Sequence, residues 1–151
     1  LRELDGLVIP GGESTTMSLG IERERLAGPL RELVESGKPV LGTCAGLIML
    51  DRAHLGVLDV TARRNAFGRQ LKSFEADLEL SGFDGELRAV FIRAPWVEEA
   101  GADVHVLAEV DGHPVAVRQR QVMGVAFHPE LTDDRRLHRW LVESANGGPA
   151  G

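Results

Sequence analysis

Two short apolar runs constrain this chain more than anything else in it, because each empties into glycine and each leads into a helical pattern. The first, LDGLVIP (residues 4–10), is closed by Pro10-Gly11-Gly12 and reads as a buried strand ending in a tight loop. Leu26, Leu30, Leu33 and Val34 then recur at helical spacing, with Gly37 as a C-terminal stop. The second run, PVLG (39–42), is another buried strand, and AGLIMLDRA (45–53) is apolar without alternation, as suits a helix packed on a sheet. This strand–helix–strand–helix order implies parallel strands in an α/β layer fold.

The second half carries a different period. KSFEADLEL (72–80) alternates, with Phe74, Ala76, Leu78 and Leu80 on one side and Glu75, Asp77 and Glu79 on the other, the pattern of a half-exposed antiparallel strand. RAVFIRAP (88–95) is a strand ended by Pro95. VHVLAEV (104–110) and PVAVRQ (114–119) flank Asp111-Gly112 as a hairpin. QVMGVAFHPE (121–130) is a last strand, and DDRRLHRWLVESA (133–145) an amphipathic closing helix. The expected architecture is a three-layer mixed sheet with a parallel centre, antiparallel additions and helices on both faces. Residues 1–144 form one domain, with 145–151 (ANGGPAG) as a flexible tail.

Composition narrows the function classes. A chain of this length can bury roughly 68–70% of its unfolded surface, enough for a real core. With 17 Lys+Arg against 23 Asp+Glu the net charge is −6. An acidic chain without a basic stripe is a poor nucleic-acid binder. No apolar stretch approaches the roughly 18 residues that span a bilayer. The single cysteine rules out an internal disulfide and suits a reducing, cytoplasmic setting.

That cysteine stands in Gly42-Thr43-Cys44-Ala45-Gly46, a G-x-C-x-G between a buried strand and a helix. The analogous G-x-S-x-G is the nucleophile elbow of hydrolases, where glycines permit a strained turn that lifts the nucleophile above the sheet. At a helix N-terminus the dipole favours thiolate over thiol, and the Ala45 N–H points where an acyl oxyanion develops. Cys44 is otherwise a small core residue; the elbow glycines favour the nucleophile.

A thiolate needs a base and the base an orienter. Of five histidines, His113 and His138 read as solvated, His105 lies in an alternating strand, and His54 comes after the elbow helix. His128 ends an apolar strand, and Glu130 lies two residues on, pointing the same way in an extended segment. The alternative is a histidine that merely neighbours the final helix. There is no H-E-x-x-H and no paired cysteine, so no metal is expected. PGGESTT (10–16) lacks the lysine of a phosphate loop; Gly11 or Gly12 can supply a second oxyanion donor, and Ser14 or Thr15 can cap the next helix. Arginines in RNAFGRQ (64–70) and FIRAP (91–95) either clamp a carboxylate or form surface ion pairs.

GTCAG at 42–46 with HPE at 128–130 resembles the class I (triad-type) glutamine amidotransferases. PGGESTT, RNAFGRQ, SFEADL, VFIRAPW and FHPELTDD together resemble one branch, the glutaminase subunit of pyridoxal 5′-phosphate synthase. The resemblance implies a flavodoxin-like fold of the class I glutaminase type. It also implies hydrolysis of L-glutamine to L-glutamate and ammonia through a thioester on Cys44, with His128 shuttling protons and Glu130 holding its ring. Gly12 and Ala45 would form the oxyanion hole, and Gly12, Glu13, Ser14, Arg64, Ile92 and Arg93 would bind glutamine. No cofactor is implied. The ammonia would pass to a (β/α)8-barrel synthase subunit.

Two departures stand out: the family opens with a βα unit that is lacking before LDGLVIPGG, and DRAHLGVLDV (51–60) is shorter than usual. The alternatives are a class I glutaminase serving another synthase, a silent synthase-binding remnant, or a cysteine peptidase or thiol sensor.

Overall fold

A computed structural model describes residues 1, 3–68 and 72–147. The chain runs through β1 (Leu7–Ile9), α1 (Ser14–Arg23), α2 (Ala27–Glu35), β2 (Val40–Thr43), α3 (Ala45–Leu50) and β3 (Val60–Arg63). It continues with β4 (Ser73–Glu79), β5 (Glu86–Ile92), β6 (Trp96–Ala100), β7 (His105–Val110), β8 (His113–Gln119) and β9 (Val122–Val125). A 3-10 turn at Pro129–Leu131 and α4 (Arg136–Ala145) close it.

The central sheet has the order β1-β2-β9-β8-β7. β1, β2 and β9 are parallel, whereas β8 and β7 are added antiparallel, in keeping with the change of period along the chain. Every residue of β2 and β9 is buried, which is why both read as unbroken apolar runs. Helices cover both faces. Gly42 and Gly124 are register partners, and a Cβ on either would lie within 2.6 Å of a leucine side chain of α3. Met123, pointing the opposite way, borders Trp140 of α4. The expected hairpin turn forms, with Asp111 and Gly112 both at positive φ, 52° and 79°.

Two antiparallel pairs, β4–β5 and β3–β6, stand outside that sheet. The alternation of β4 turns Phe74 inward, stacked on Phe91 of β5 with ring centroids 4.5 Å apart. Phe91 meets Phe127 edge-on and so docks the pair on the core. β6 does not show in the sequence, because Glu98 and Glu99 interrupt any apolar pattern; β3 pairs with it through a register shift between Thr61 and Ala62.

Two other elements are shorter than expected, and one histidine is more engaged. α3 stops at Leu50 rather than continuing through DRA, since Asp51 turns extended with its carboxylate bound to later amides. The β9 ladder ends at Val125, so His128 lies beyond it in the loop. His113, expected to be solvated, is half-buried with its ring stacked 3.6 Å from that of Trp96. Of the tail expected at 145–151, residues 148–151 lie outside the described residues, as do Arg69 and Gln70 of the RNAFGRQ motif.

Candidate active site

Cys44 comes directly after β2, and its N–H donates to the Val125 carbonyl at 2.8 Å. Its backbone lies at φ 52°, ψ −111°, a positive-φ conformation unusual for a residue with a side chain. The elbow glycines hold that turn by letting backbones touch. A Cβ on Gly46 would sit 1.8 Å from the Ile9 carbonyl oxygen, and one on Gly42 2.7 Å from that of Gly46. The sharp turn therefore presses the first turn of α3 against the end of β1.

Cys44 is 8% exposed. Burial pushes its thiol above the ordinary range, the Ala45 N–H pulls it down, and the Glu130 charge pushes it up again. The expected thiolate preference is thus reversed. A six-residue helix and one amide do not offset the desolvation of the charged sulfur. Burial therefore opposes the charged sulfur, and a neighbouring base is needed to take its proton.

His128 is that neighbour. Its N–H donates to the Val90 carbonyl at 2.9 Å, which fixes the loop against β5. Its Nδ1 lies 3.2 Å from Glu130 Oε2. A neutral ring donating Nδ1–H to the carboxylate leaves Nε2 as acceptor. Gly11 brings ring and thiol together: a Cβ there would lie 2.7 Å from His128 Cε1 and 3.5 Å from Cys44 Cβ. Beyond the amides expected of the glycine loop, Gly11 leaves the space that lets both the His128 ring and Cys44 lie beside it, with the Cys44 thiol donating to the Ile92 carbonyl at 3.8 Å.

A cleft of about 410 Å³ opens on these groups. Cys44, Ala45, Gly12, Glu13, Ser14, Arg64, Ile92, Arg93 and His128 all line it, and Glu130 stands behind the imidazole. Ile48, Asn65 and Pro95 line it too; Asn65 falls within RNAFGRQ and Pro95 within FIRAP, but in those motifs the resemblance implies roles only for Arg64, Ile92 and Arg93. Asn65 and Arg93 have φ of 45°, and two such residues beside one cleft are a signal carried by backbone, not by residue type. His54, His105, His113 and His138 do not line this cleft. His54 is instead bound to Asp51, with 2.8 Å between Nδ1 and Oδ1.

The glycine loop departs from expectation at its helix cap. Glu13, not Ser14 or Thr15, caps α1, accepting from the Thr15 N–H (3.1 Å), the Thr16 N–H (2.7 Å) and the Thr16 hydroxyl (2.8 Å). These donors hold its carboxyl at about 2. Arg64 reaches across the cleft to Glu13 Oε1 and Thr15 Oγ1, both at 3.3 Å. Ser14 is buried beneath them. Among the described residues no group of three or more His, Cys, Asp or Glu could hold a metal ion, and no helix is long and apolar enough to cross a membrane.

Chemically the cleft offers a buried thiol, an oriented imidazole, backbone amides beside the sulfur and two arginines at the rim, a set suited to acyl transfer from a small polar substrate. Comparison with known proteins agrees. The model of the SNO glutamine amidotransferase family matches residues 1–146. Pyridoxal 5′-phosphate synthase subunit PdxT of Mycobacteroides abscessus is 54% identical, over 98% of this chain and 81% of that protein. The subunit of the same name from Bacillus licheniformis is 56% identical, over 95% and 76%. A crystal structure of a glutamine amidotransferase superposes with a TM-score of 0.91 at 45% identity, covering 97% of this chain and 82% of that one.

Proposed function

The chain belongs to the SNO glutamine amidotransferase family, and we propose on that footing that Cys44, His128 and Glu130 are the triad of a glutaminase. It hydrolyses L-glutamine to L-glutamate and ammonia, and supplies the ammonia to a pyridoxal 5′-phosphate synthase. The partner subunit is a (β/α)8 barrel, and the two work in the cytoplasm. Residues 1–144 form the glutaminase domain.

The reaction can be built from the groups present. Glutamine enters with its side-chain amide toward Cys44. Gly12, Glu13, Ser14, Arg64, Ile92 and Arg93 hold the rest of it. His128 Nε2 takes the thiol proton, and the sulfur attacks the amide carbon. The resulting oxyanion lies against the N–H groups of Gly12 and Ala45, each such donor typically contributing about 10²–10³ in kcat. The imidazolium, steadied by Glu130, returns its proton to the leaving nitrogen, and ammonia departs. Water, deprotonated by His128, then hydrolyses the thioester, releasing glutamate and restoring the thiol.

The observation that supports this reading is that the bare backbone of Gly11 borders both the His128 ring and the Cys44 Cβ on one cleft, with Glu130 on the ring's Nδ1. It is tested by glutamine-dependent ammonia release from the chain with its synthase subunit. Release by the wild type and none by Cys44→Ala is the expected result. Equal release by both removes Cys44 from the mechanism; if the folded wild type is silent, adding an N-terminal βα segment separates a shortened enzyme, which regains release, from a synthase-binding remnant, which does not.

A further inference from the structure

We infer that Asp51 is a positioning residue: its buried carboxylate ties the end of the helix behind Cys44 to the strand that delivers Arg64 to the cleft. Asp51 is 2% exposed. Oδ1 accepts from the Ala53 N–H at 3.0 Å and from His54 Nδ1 at 2.8 Å. Oδ2 accepts from the Ala62 N–H at 3.1 Å. The first two bonds close a local turn. The third crosses eleven residues and lands on β3.

Its landing point explains its effect. Ladder register shifts between Thr61, opposite Glu99, and Ala62, opposite Val97, so Glu98 is an extra residue on β6. A bulge of this kind bends the strand that carries it, here β6, and leaves Ala62 of β3 facing the irregularity. Asp51 holds the Ala62 amide opposite that bulge, where the ladder with β6 is interrupted, and two residues later Arg64 lines the cleft. Asp51 also caps the end of α3, its N–H donating to the Ile48 carbonyl at 3.2 Å. One side chain therefore sets the elbow helix and the arginine arm relative to each other. The inference rests on the reading that Arg64 binds glutamine.

A carboxylate can accept from all three donors, whereas an amide has one acceptor oxygen and turns its NH2 toward at least one of them. The test is a cycle of Asp51→Asn and Arg64→Ala, singly and together, in the full chain with its synthase subunit. It reads KM for glutamine and kcat per Cys44 thiol reactive to alkylation. Asp51→Asn is expected to raise KM about tenfold with kcat per reactive thiol within about twofold, and to add nothing once Arg64 is alanine. A purely structural role lowers the number of reactive thiols and leaves KM alone.

Wild-type KM in Asp51→Asn beside a raised KM in Arg64→Ala, or effects that multiply in the double variant, overturns the assignment. Wild-type KM in Arg64→Ala removes Arg64 from substrate binding and takes the Asp51 assignment with it, a result distinct from the first. If the amide variant does not fold, Asp51→Glu replaces it in the same cycle. It keeps the charge, displaces the anchor and is read by the same outcomes.

Discussion

Cys44 is disfavoured twice, by a positive-φ backbone worth about 1–3 kcal/mol of strain and by burial that opposes its charged form. The turn places Cys44 on the cleft, and burial opposes the charged form that a base must draw out. Glu130 has an ambivalent part, since it orients the base yet its charge raises the thiol. Removing that charge stabilises the thiolate while loosening the imidazole. Glu130→Gln is therefore expected to speed iodoacetamide alkylation of Cys44 at pH 8 while lowering glutamine turnover; slower alkylation would contradict the electrostatic account. GTCAG and HPE make the nucleophile, base and orienter legible, because residue type and spacing carry those roles. The direction of the thiol shift is not legible, because it depends on how deeply Val125, Ile92 and α3 enclose the sulfur.

Among elements, α1 shows how a cap becomes pH-sensitive. The folded Glu13 carboxyl sits at about 2 against an ordinary 4.5, so its contribution is fully present above 4.5 and fades as pH falls toward 2. Urea melts should find Glu13→Gln less stable than wild type at pH 6, with the gap closing near pH 2. The glycines of the helices divide by environment. Gly20 in α1 meets nothing within 4 Å, so Gly20→Ala should stabilise by roughly 0.5–1 kcal/mol. Gly46→Ala would strike the Ile9 carbonyl and should destabilise by at least about 1–3 kcal/mol, with loss of turnover. Thermal melts of the two variants should therefore shift in opposite directions. The sequence shows β1, β2 and the hairpin plainly, because burial on both faces and an Asp-Gly turn leave direct marks. It does not show where α3 ends, since that depends on Asp51 finding Ala62, nor β6, whose pairing depends on a bulge with β3.

At the scale of the molecule, β2 and β9 are each paired on both edges, whereas β4 has a single strand partner. Amides of Val40–Thr43 and Val122–Val125 should exchange with solvent most slowly, and those of Ser73–Glu79 appreciably faster; uniform rates across both would mean that the β4–β5 pair opens only with the whole domain. The central strands also fix the sulfur's height in a particular way. α3 sets its Leu50 and Leu47 side chains against Gly42 and Gly124, whereas its own Gly46 lies directly on the Ile9 carbonyl, so at the turn that carries the sulfur the distance to β1 is set by main chain. Inherited changes at Leu47 or Leu50 can then shift the far end of the helix, while the contact between Gly46 and Ile9 holds the turn that carries the nucleophile. A lineage that retunes this chemistry has to do so from the loops opposite, around Gly11, Arg64, Arg93 and His128.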